Sequence, residues 1–519
     1  MKQQGQIAIQ KWWDISIVCL FISVSLWMFS KSVADPDLWG HVKFGQDLWH
    51  TGQIVRSDPY SYLTGDQVWI NHEWLAEAIF YLAFALGGPS GLVVLKAAIS
   101  LLIIGLLYRH LFRQGLTLLQ GGILLTLASP LLVPWLATVR PQAFTYLLFL
   151  LVLLLVHQID GGRIRWLWAA PPLFALWVNL HGGFLAGMGI FVLWSFSNLM
   201  FCLLRTRWTV ILLSPTNLAI YLAIIASMFA TLLNPYGAQL LVFLLQTATV
   251  PRPEIVEWNP IAITTLSGAM FIILLVLASV AIVYSRRERR PALIVLFLGA
   301  ALLPLIAFRH TPLFVLVTLT LAGEHIGDVW NRWSGPQLLK EGFTVFSRVR
   351  PWLVGLHFIG AIVLVGLSFP NFGCIPITRP ISYPARSIAL LKESGLSGNL
   401  AVHFGWGEYA IWHLAPRFKV SMDGRRETVY SDMIIRENQK FMWGRDDWDA
   451  LLQNHKTQLA LVSKKFPVFN LMKLMPSWPL VYEDPLSGLF VRQGSPLLER
   501  IQGIDPPAFP YDGAGSCFP

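Results

Sequence analysis

Long apolar runs recur through the first 369 residues, and they limit what the chain can use as a solvent before any other feature is considered. Eleven of them lie at about 15–30, 90–108, 117–136, 142–157, 166–180, 184–204, 215–233, 264–285, 291–308, 311–323 and 351–369. Each approaches the roughly 20 residues that a helix needs to cross a bilayer. Apolar residues make up 55% of the 519-residue chain and charged ones 13%, and mean hydropathy is +0.56. A soluble fold of this size has too little interior for that surface, so lipid must cover part of it. The net charge of +10 does not point to nucleic acid. The basic residues sit in short clusters between apolar runs, as they do in the cytoplasmic loops of membrane proteins.

The run 15–30 follows Lys2 and Lys11 and ends at Lys31 and Asp35 without a small-residue cleavage pattern, which predicts a retained first span. With the N-terminus inside, the inner segments hold sixteen Lys and Arg residues, among them Arg205, Arg207 and the run Arg286-Arg287-Glu288-Arg289-Arg290. The outer segments before residue 370 hold six: Lys31, Lys43, Arg56, Arg140, Arg252 and Arg309. This bias favours a cytoplasmic N-terminus, and an odd number of spans then puts the C-terminus outside.

The expected fold is therefore a polytopic α-helical membrane protein of about eleven spans. A transmembrane domain over 1–369 carries a long first outer loop, 31–89, in which the short apolar segment 74–87 reads as an interfacial helix ending at Gly87-Gly88-Pro89. Residues 370–519 lack span-length runs and mix short β-like stretches (400–404, 459–463, 489–493) with helical ones such as 384–394, which predicts a small extracytoplasmic α/β domain. Cys374 and Cys517 fall at its two ends in an oxidising compartment, where they form a disulfide or remain two free thiols. Cys19 and Cys202 lie inside spans and read as small apolar packing.

The polar residues with chemical potential gather on the outer side. Asp35-Pro36-Asp37 stands at the exit of the first span with His41 four residues on, and the same loop holds His72 and Glu73. Two carboxylates and a histidine at this spacing can hold a divalent cation or accept a proton; alternatively, an Asp caps the helix that follows the proline. Arg140, His181, Asn234 with Tyr236, Glu254, Glu257 and Arg309-His310 occupy other outer turns. Each has a plainer role open to it. Asn234-Pro235-Tyr236-Gly237 is a turn signal, His181 can bond a neighbouring helix, the arginines can snorkel and Glu257-Trp258 can anchor at the interface. In the C-terminal region, Trp406-Gly407-Glu408-Tyr409 and Asp423-Gly424-Arg425-Arg426-Glu427 stand out. The latter can close over the membrane site, bind acceptor, or form a turn whose ion pairs dock the domain. No GxxxxGK[ST] or GxGxxG pattern supports a nucleotide-driven reaction.

This arrangement resembles the GT-C superfamily of membrane glycosyltransferases, in a cytoplasmic N-terminus, acidic residues just after the first span, a first outer loop with interfacial helices and an outer C-terminal domain. The segments DPDLWGH, NHEWLAE, NLHGGF, NPYG and WGEYAIWHLAPRFKVSMDGRRE also resemble a group of bacterial membrane proteins. The resemblance implies a bacterial inner-membrane enzyme taking a sugar from a polyprenyl-phosphate carrier to a glycan, lipid or protein acceptor. On that reading Asp35, Asp37 and Glu73 are catalytic. A divalent ion (Mg or Mn) at Asp35 and Asp37 is the expected cofactor. His41, His72, Arg140, His181, Asn234, Tyr236, Glu257, Arg309 and His310 bind substrate. The competing readings are a lipid or solute transporter and a non-catalytic scaffold with an outer binding domain. Against the transporter, no inverted repeat of the spans is visible, and the polar residues sit at one face rather than the midplane.

Overall fold

The computed structural model describes residues 2–65, 67–204, 214–247, 250, 252, 255–333, 336–378, 382–506, 508 and 510–519. Glu254, Arg205 and Arg207 lie outside them. Two compact units form, Met1–Lys31 with Val93–Gly373 and Ser32–Leu92 with Cys374–Pro519. The helices up to Phe372 are α1 (Lys2–Ser30), α2 (Pro36–Thr51), α3 (Trp74–Arg113), α4 (Leu118–Leu136), α5 (Gln142–Asp160), α6 (Ala170–Trp177), α7 (Phe184–Leu203), α8 (Pro215–Ala230), α9 (Ala238–Thr247), α10 (Leu266–Tyr284), α11 (Pro291–Ile306), α12 (Thr311–Trp333) and α13 (Pro336–Phe372).

Among the described residues, eight helices are long and apolar enough to cross a membrane, and the protein is a multi-pass membrane protein. Every expected span has a helix at its position, but three fall short. The segment 166–180 begins as a 3-10 turn, Ile164–Ala169, and continues as the eight-residue α6, since Pro171 and Pro172 supply no N–H to an earlier turn. Helices α8 and α11 have sixteen residues each. Conversely, α12 runs ten residues past the expected end at 323, α13 starts well before 351, and α9 is an apolar helix that the hydropathy pattern missed. Gly88 leaves helical geometry (φ 57, ψ −145) just before Pro89, so the segment from Trp74 is set off from the span that follows it.

In the first unit α12 is the central helix, packed against α4, α5, α10 and α11, while α1 and α13 pair along their lengths. Lys96 of α3 is buried and donates to the carbonyls of Lys31 and Ala137, just past the ends of α1 and α4. A cation there satisfies carbonyls at two helix C-termini, where the dipoles favour positive charge. At the opposite end, Asp160 of α5 pairs with Arg290 at 3.0 Å and accepts from the Trp194 indole, and Asp328 of α12 accepts from Ser285 and Arg332.

The second unit holds α14 (Ala385–Ser394), β1 (Gly398–Val402), α15 (Phe404–Leu414), β2 (Phe418–Val420), α16 (Asp432–Trp443), α17 (Ala450–Gln453), β3 (Leu459–Ser463), α18 (Val468–Lys473), β4 (Leu480–Glu483), β5 (Ser487–Val491) and α19 (Pro496–Gln502). The sheet order is β2-β1-β3-β5-β4. β1 is parallel to β2 and β3, and β5 is antiparallel to β3 and β4. β3 and β5 are buried at every residue, as the unbroken apolar runs LALVS and SGLFV require. Cys374 and Cys517 are joined in a disulfide, and the tail pairs with the chain beside it through Ile377 N–H to Ser516 O at 2.9 Å.

Residues Ser32–Leu92, which include nearly all of the first outer loop, group with this unit. Val420 N–H donates to Tyr60 O at 2.9 Å and Tyr62 N–H to Val420 O at 3.3 Å, so the loop adds a rung to the exposed edge of β2. Helix α2 packs on α15, with Trp39 buried among Tyr383, Tyr409, Trp412 and Phe518. Arg425 completes the join. Its guanidinium grips both oxygens of Asp423 at 2.8 and 2.7 Å and reaches Asp58 Oδ1 at 2.8 Å. The rings of Phe44, Tyr60 and Trp69 lie 4.7–5.2 Å from it. Arg425 of the charged run at 423–427 therefore ties the loop to the sheet inside this unit, through buried rather than surface ion pairs.

Arg425→Gln leaves two buried carboxylates without their cation, a loss of about 3–5 kcal/mol. Thermal unfolding of the purified protein in detergent should show a midpoint many degrees lower, with Asp58→Asn falling between that variant and wild type.

Candidate active site

The sequence after the first span is a helix start: Asp35 in extended geometry, then Pro36 at the first helical position. Asp35 accepts the Asp37 N–H at 3.0 Å, so the capping role is the one its carboxylate performs. Asp37 sits in the first turn of α2, half-buried, where the helix dipole favours a negative charge.

Helix α2 then presents two faces. His41 and Gly45, one turn apart, face the start of α3. A Cβ on Gly45 would lie 2.1 Å from the carbonyl oxygen of Glu77, so the missing side chain is what lets the two helices approach. The approach brings His41 Nδ1 to 3.5 Å from Glu77 Oε1 and 3.9 Å from Glu73 Oε2. Glu73 and Glu77 are four residues apart and share a helix face. Asn71 orders both, accepting from the Glu73 N–H at 3.1 Å and donating to Glu77 Oε2 at 2.6 Å. His72 lies 3.7 Å from Glu73. One donor atom from each of His41, Glu73 and Glu77 falls within 4.8 Å of the others, so this group can hold a metal ion. An imidazole with two carboxylates suits a divalent cation of the Mn2+ kind. Asp35 and Asp37 are not in that group.

The other face of α2, at Gly40 and Phe44, meets the α/β fold. Glu408 of α15 is buried there and accepts the Gly40 N–H at 3.1 Å. Burial pushes the Glu408 carboxyl well above the usual carboxylate range, and the charges of Asp37, Asp423 and Glu77 add to the rise against the opposing pull of Arg425. Burial acts on Asp423 in the same sense, but Arg425 and the Tyr430 hydroxyl, 2.7 Å away, hold its carboxyl below the usual range. Burial pulls the His41 imidazole down, yet Glu77 and the charges of Glu73 and Asp37 outweigh it and raise the group to about 9.

The remaining sequence candidates belong to the first unit, at the end of the bundle marked by the Lys31 and Ala137 carbonyls. Arg140, between α4 and α5, lies 3.2 Å from one oxygen of Glu257, and Arg309, between α11 and α12, lies 3.5 Å from the other. Arg309 and Arg252 stack on the ring of Trp258, at 4.5 and 4.0 Å. Glu257 thus meets a guanidinium group at each of its oxygens. His181 Nδ1 lies 2.9 Å from Thr145 Oγ1 and accepts the Gly183 N–H. Asn234 accepts the Tyr236 N–H and donates to Thr231 O and Gly237 O, so its side chain builds the turn. Tyr236 is buried beside it, and His310 Nδ1 lies 3.4 Å from Leu303 O. The structure thus gathers Asp37, His41, His72 and Glu73 in the second unit, and Arg140, Glu257 and Arg309 in the first.

No protein-family model and no curated protein sequence matches the chain. Solved structures do. The apo oligosaccharyltransferase of Archaeoglobus fulgidus matches 87% of this chain and 70% of its own at 13% identity, with a TM-score of 0.54. ArnT from Cupriavidus metallidurans bound to undecaprenyl phosphate matches 97% of this chain and 100% of its own at 12% identity, with a TM-score of 0.50. The chain shares its fold with these two membrane proteins.

Glu77 and Glu408 are the residues here that the sequence reading gave no role at the site. The Glu73–Glu77 spacing across a helix start was a usable signal for the first. The segment Trp406-Gly407-Glu408-Tyr409 stood out, but it is distant in sequence and nothing local ties Glu408 to α2.

His41 and Glu408 give stability the same pH sense. A histidine raised to about 9 stabilises fully below its ordinary value of 6.5, and that contribution is lost as pH rises through 9. A carboxyl raised above 4.5 must take up a proton on folding, which is increasingly unfavourable as pH rises. With chelator present, the unfolding midpoint should fall between pH 6.5 and 9; His41→Gln and Glu408→Gln should each flatten the slope, as a pH series of melting curves would show.

Proposed function

We propose that the protein is a membrane glycosyltransferase that moves a sugar from a polyprenyl-phosphate carrier to an acceptor at the outer face of the bacterial cytoplasmic membrane. The reading rests on the fold, which is shared along nearly the whole chain with ArnT bound to undecaprenyl phosphate and along most of it with an oligosaccharyltransferase. In that setting the N-terminus is cytoplasmic, the α/β fold is extracytoplasmic, and the acceptor is a glycan, lipid or protein.

Transfer requires an acceptor oxygen to attack the anomeric carbon while the bond from that carbon to the phosphate oxygen breaks. The electron pair leaves with the polyprenyl phosphate, and the acceptor proton goes to a base. Asp37 is assigned that proton, being a carboxylate that is not a helix cap and is partly open at its surface. Arg140 and Arg309 are assigned the phosphate, as paired charge-assisted donors held apart by Glu257. His181, His310 and the Asn234–Tyr236 turn line the same end of their unit. His41, Glu73 and Glu77 would hold a divalent cation such as Mg2+ or Mn2+, with His72 at their edge.

Transfer of a labelled sugar from a polyprenyl-phosphate donor in membranes tests the reading. Asp37→Asn should lose about 100-fold or more in turnover. Arg140→Ala and Arg309→Ala should raise the donor KM by about 10- to 100-fold. Undiminished transfer by Asp37→Asn would remove Asp37 from the reaction.

The metal assignment has a readout that needs no turnover. Binding must displace the proton on His41, so the stabilisation of the protein by Mn2+ should grow from pH 6.5 to pH 9. Calorimetry of wild type against Glu77→Gln should show the increase only in the former.

A further inference from the structure

At the end of the first unit where Asp160 and Asp328 sit, α10 and α11 both pack on α12, and a small cavity lies among the three. Ile282, Arg290, Phe297, Leu321, Glu324 and His325 are among the residues that line it. Its volume is about 10 Å3, room for one water-sized group. Several charged groups nearby have partners. Arg289 donates to the carbonyls of Ile282, Val283 and Ser285, Arg332 pairs with Asp328, and Arg290 holds Asp160 through Nη1. Glu324 differs. It makes no hydrogen bond or ion pair among the described residues, yet it lies in a membrane-spanning helix, where an unpaired carboxylate is costly. His325 beside it is 5% exposed, and its Nδ1 has no hydrogen-bond partner among the described residues. Buried polar atoms left in that state are rare, and a missing bonding partner is the ordinary reason.

We propose that this cavity takes the primary ammonium of a phospholipid headgroup, as in phosphatidylethanolamine, with the phosphate of the same lipid at Arg290. An ammonium group carries three N–H donors and no acceptor. The Glu324 carboxylate and the unprotonated Nδ1 of a neutral His325 ring are the acceptors that match it. Size decides the class of headgroup. An –NH3+ group is about as large as a water, whereas the trimethylammonium of phosphatidylcholine brings three methyl groups that the cavity does not hold. A glycerol headgroup brings no cation to Glu324. The opposite charge of the zwitterion suits Arg290, whose remaining N–H groups make no hydrogen bond among the described residues. Val283, Leu298 and Leu302 on the flanking helices are exposed and offer the acyl chains an apolar surface. Basic pockets between membrane helices hold lipid headgroups in the same manner, and here the added carboxylate selects a zwitterion over an anion.

The test needs no turnover and does not depend on the glycosyl-transfer reading. The unfolding midpoint of the purified, delipidated protein in detergent is measured with phosphatidylethanolamine, its N-monomethyl derivative, phosphatidylcholine and phosphatidylglycerol, all with the same acyl chains. Phosphatidylethanolamine should raise the midpoint by about 2 °C or more above phosphatidylcholine and phosphatidylglycerol, with the monomethyl lipid between. Glu324→Gln breaks no ion pair, so without lipid it should unfold within about 1 °C of wild type. With lipid it should lose the advantage of phosphatidylethanolamine. A shift that phosphatidylcholine or phosphatidylglycerol matches overturns the inference on wild type alone, as does no shift with any lipid. A shift that Glu324→Gln keeps in full also overturns it. Free ethanolamine at the concentration of the lipid should have no effect; if it reproduces the shift, the site takes an ammonium without a lipid and the headgroup assignment falls.

Discussion

The second unit depends on one buried cation. Arg425 enters an interior that would ordinarily exclude a charge, and the cost is offset because two carboxylates and three aromatic faces receive it. What matters is where those partners come from. Asp423 is two residues away, whereas Asp58, Phe44, Tyr60 and Trp69 all belong to the first outer loop. A long loop without such an anchor would have little to fix its path. With it, the loop adds a rung to β2 and α2 is set against α15. The position of Asp37 is then a property of packed elements rather than of a mobile connection, which its proposed role as proton acceptor needs.

The first unit solves a different problem with the same components. In an apolar setting a charged group must find a partner, and here the partners sort by bundle end. At one end Arg290 meets Asp160 and Arg332 meets Asp328, one carboxylate to each arginine. At the other, Arg140 and Arg309 divide one Glu257 between them while Trp258 provides a flat face for Arg309 and Arg252. Glu257 thereby fixes the orientation of both guanidinium groups, as the proposed phosphate-binding role needs.

Hydropathy made most of the membrane architecture legible, since each span is an autonomous requirement of lipid and leaves its mark locally. It failed where length and helix geometry disagree. Pro171-Pro172 shortens one span, and the polar residues Glu324, His325 and Asp328 hid the last turns of α12, whose interior surroundings tolerate them. The disulfide was readable from the placement of two cysteines in one compartment. At the site, the cap-and-proline start at Asp35 was visible, but choosing between metal ligand and cap required seeing which group the oxygen accepts. Gly45 gave no sign of its part in joining His41 to Glu77, and Glu408 and Arg425 act across hundreds of residues. Such pairs are fixed by tertiary packing, and no periodicity in the chain records them.

The acidic half of the candidate site carries a charge problem that its geometry restricts. Asp37, Glu73, Glu77 and Glu408 lie around α2, with His41 on the face that meets Glu73 and Glu77 and Arg425 committed to Asp423 and Asp58. Carboxylates gathered in a buried setting cannot all ionise without cost. Relief can come from protons or from a divalent cation. Glu408, with its raised carboxyl, is the place for a proton, and the His41–Glu73–Glu77 group can take an ion once His41 gives up its own. An ion there would offset the charge of Glu77 that Glu408 feels and ease ionisation of the Glu408 carboxyl.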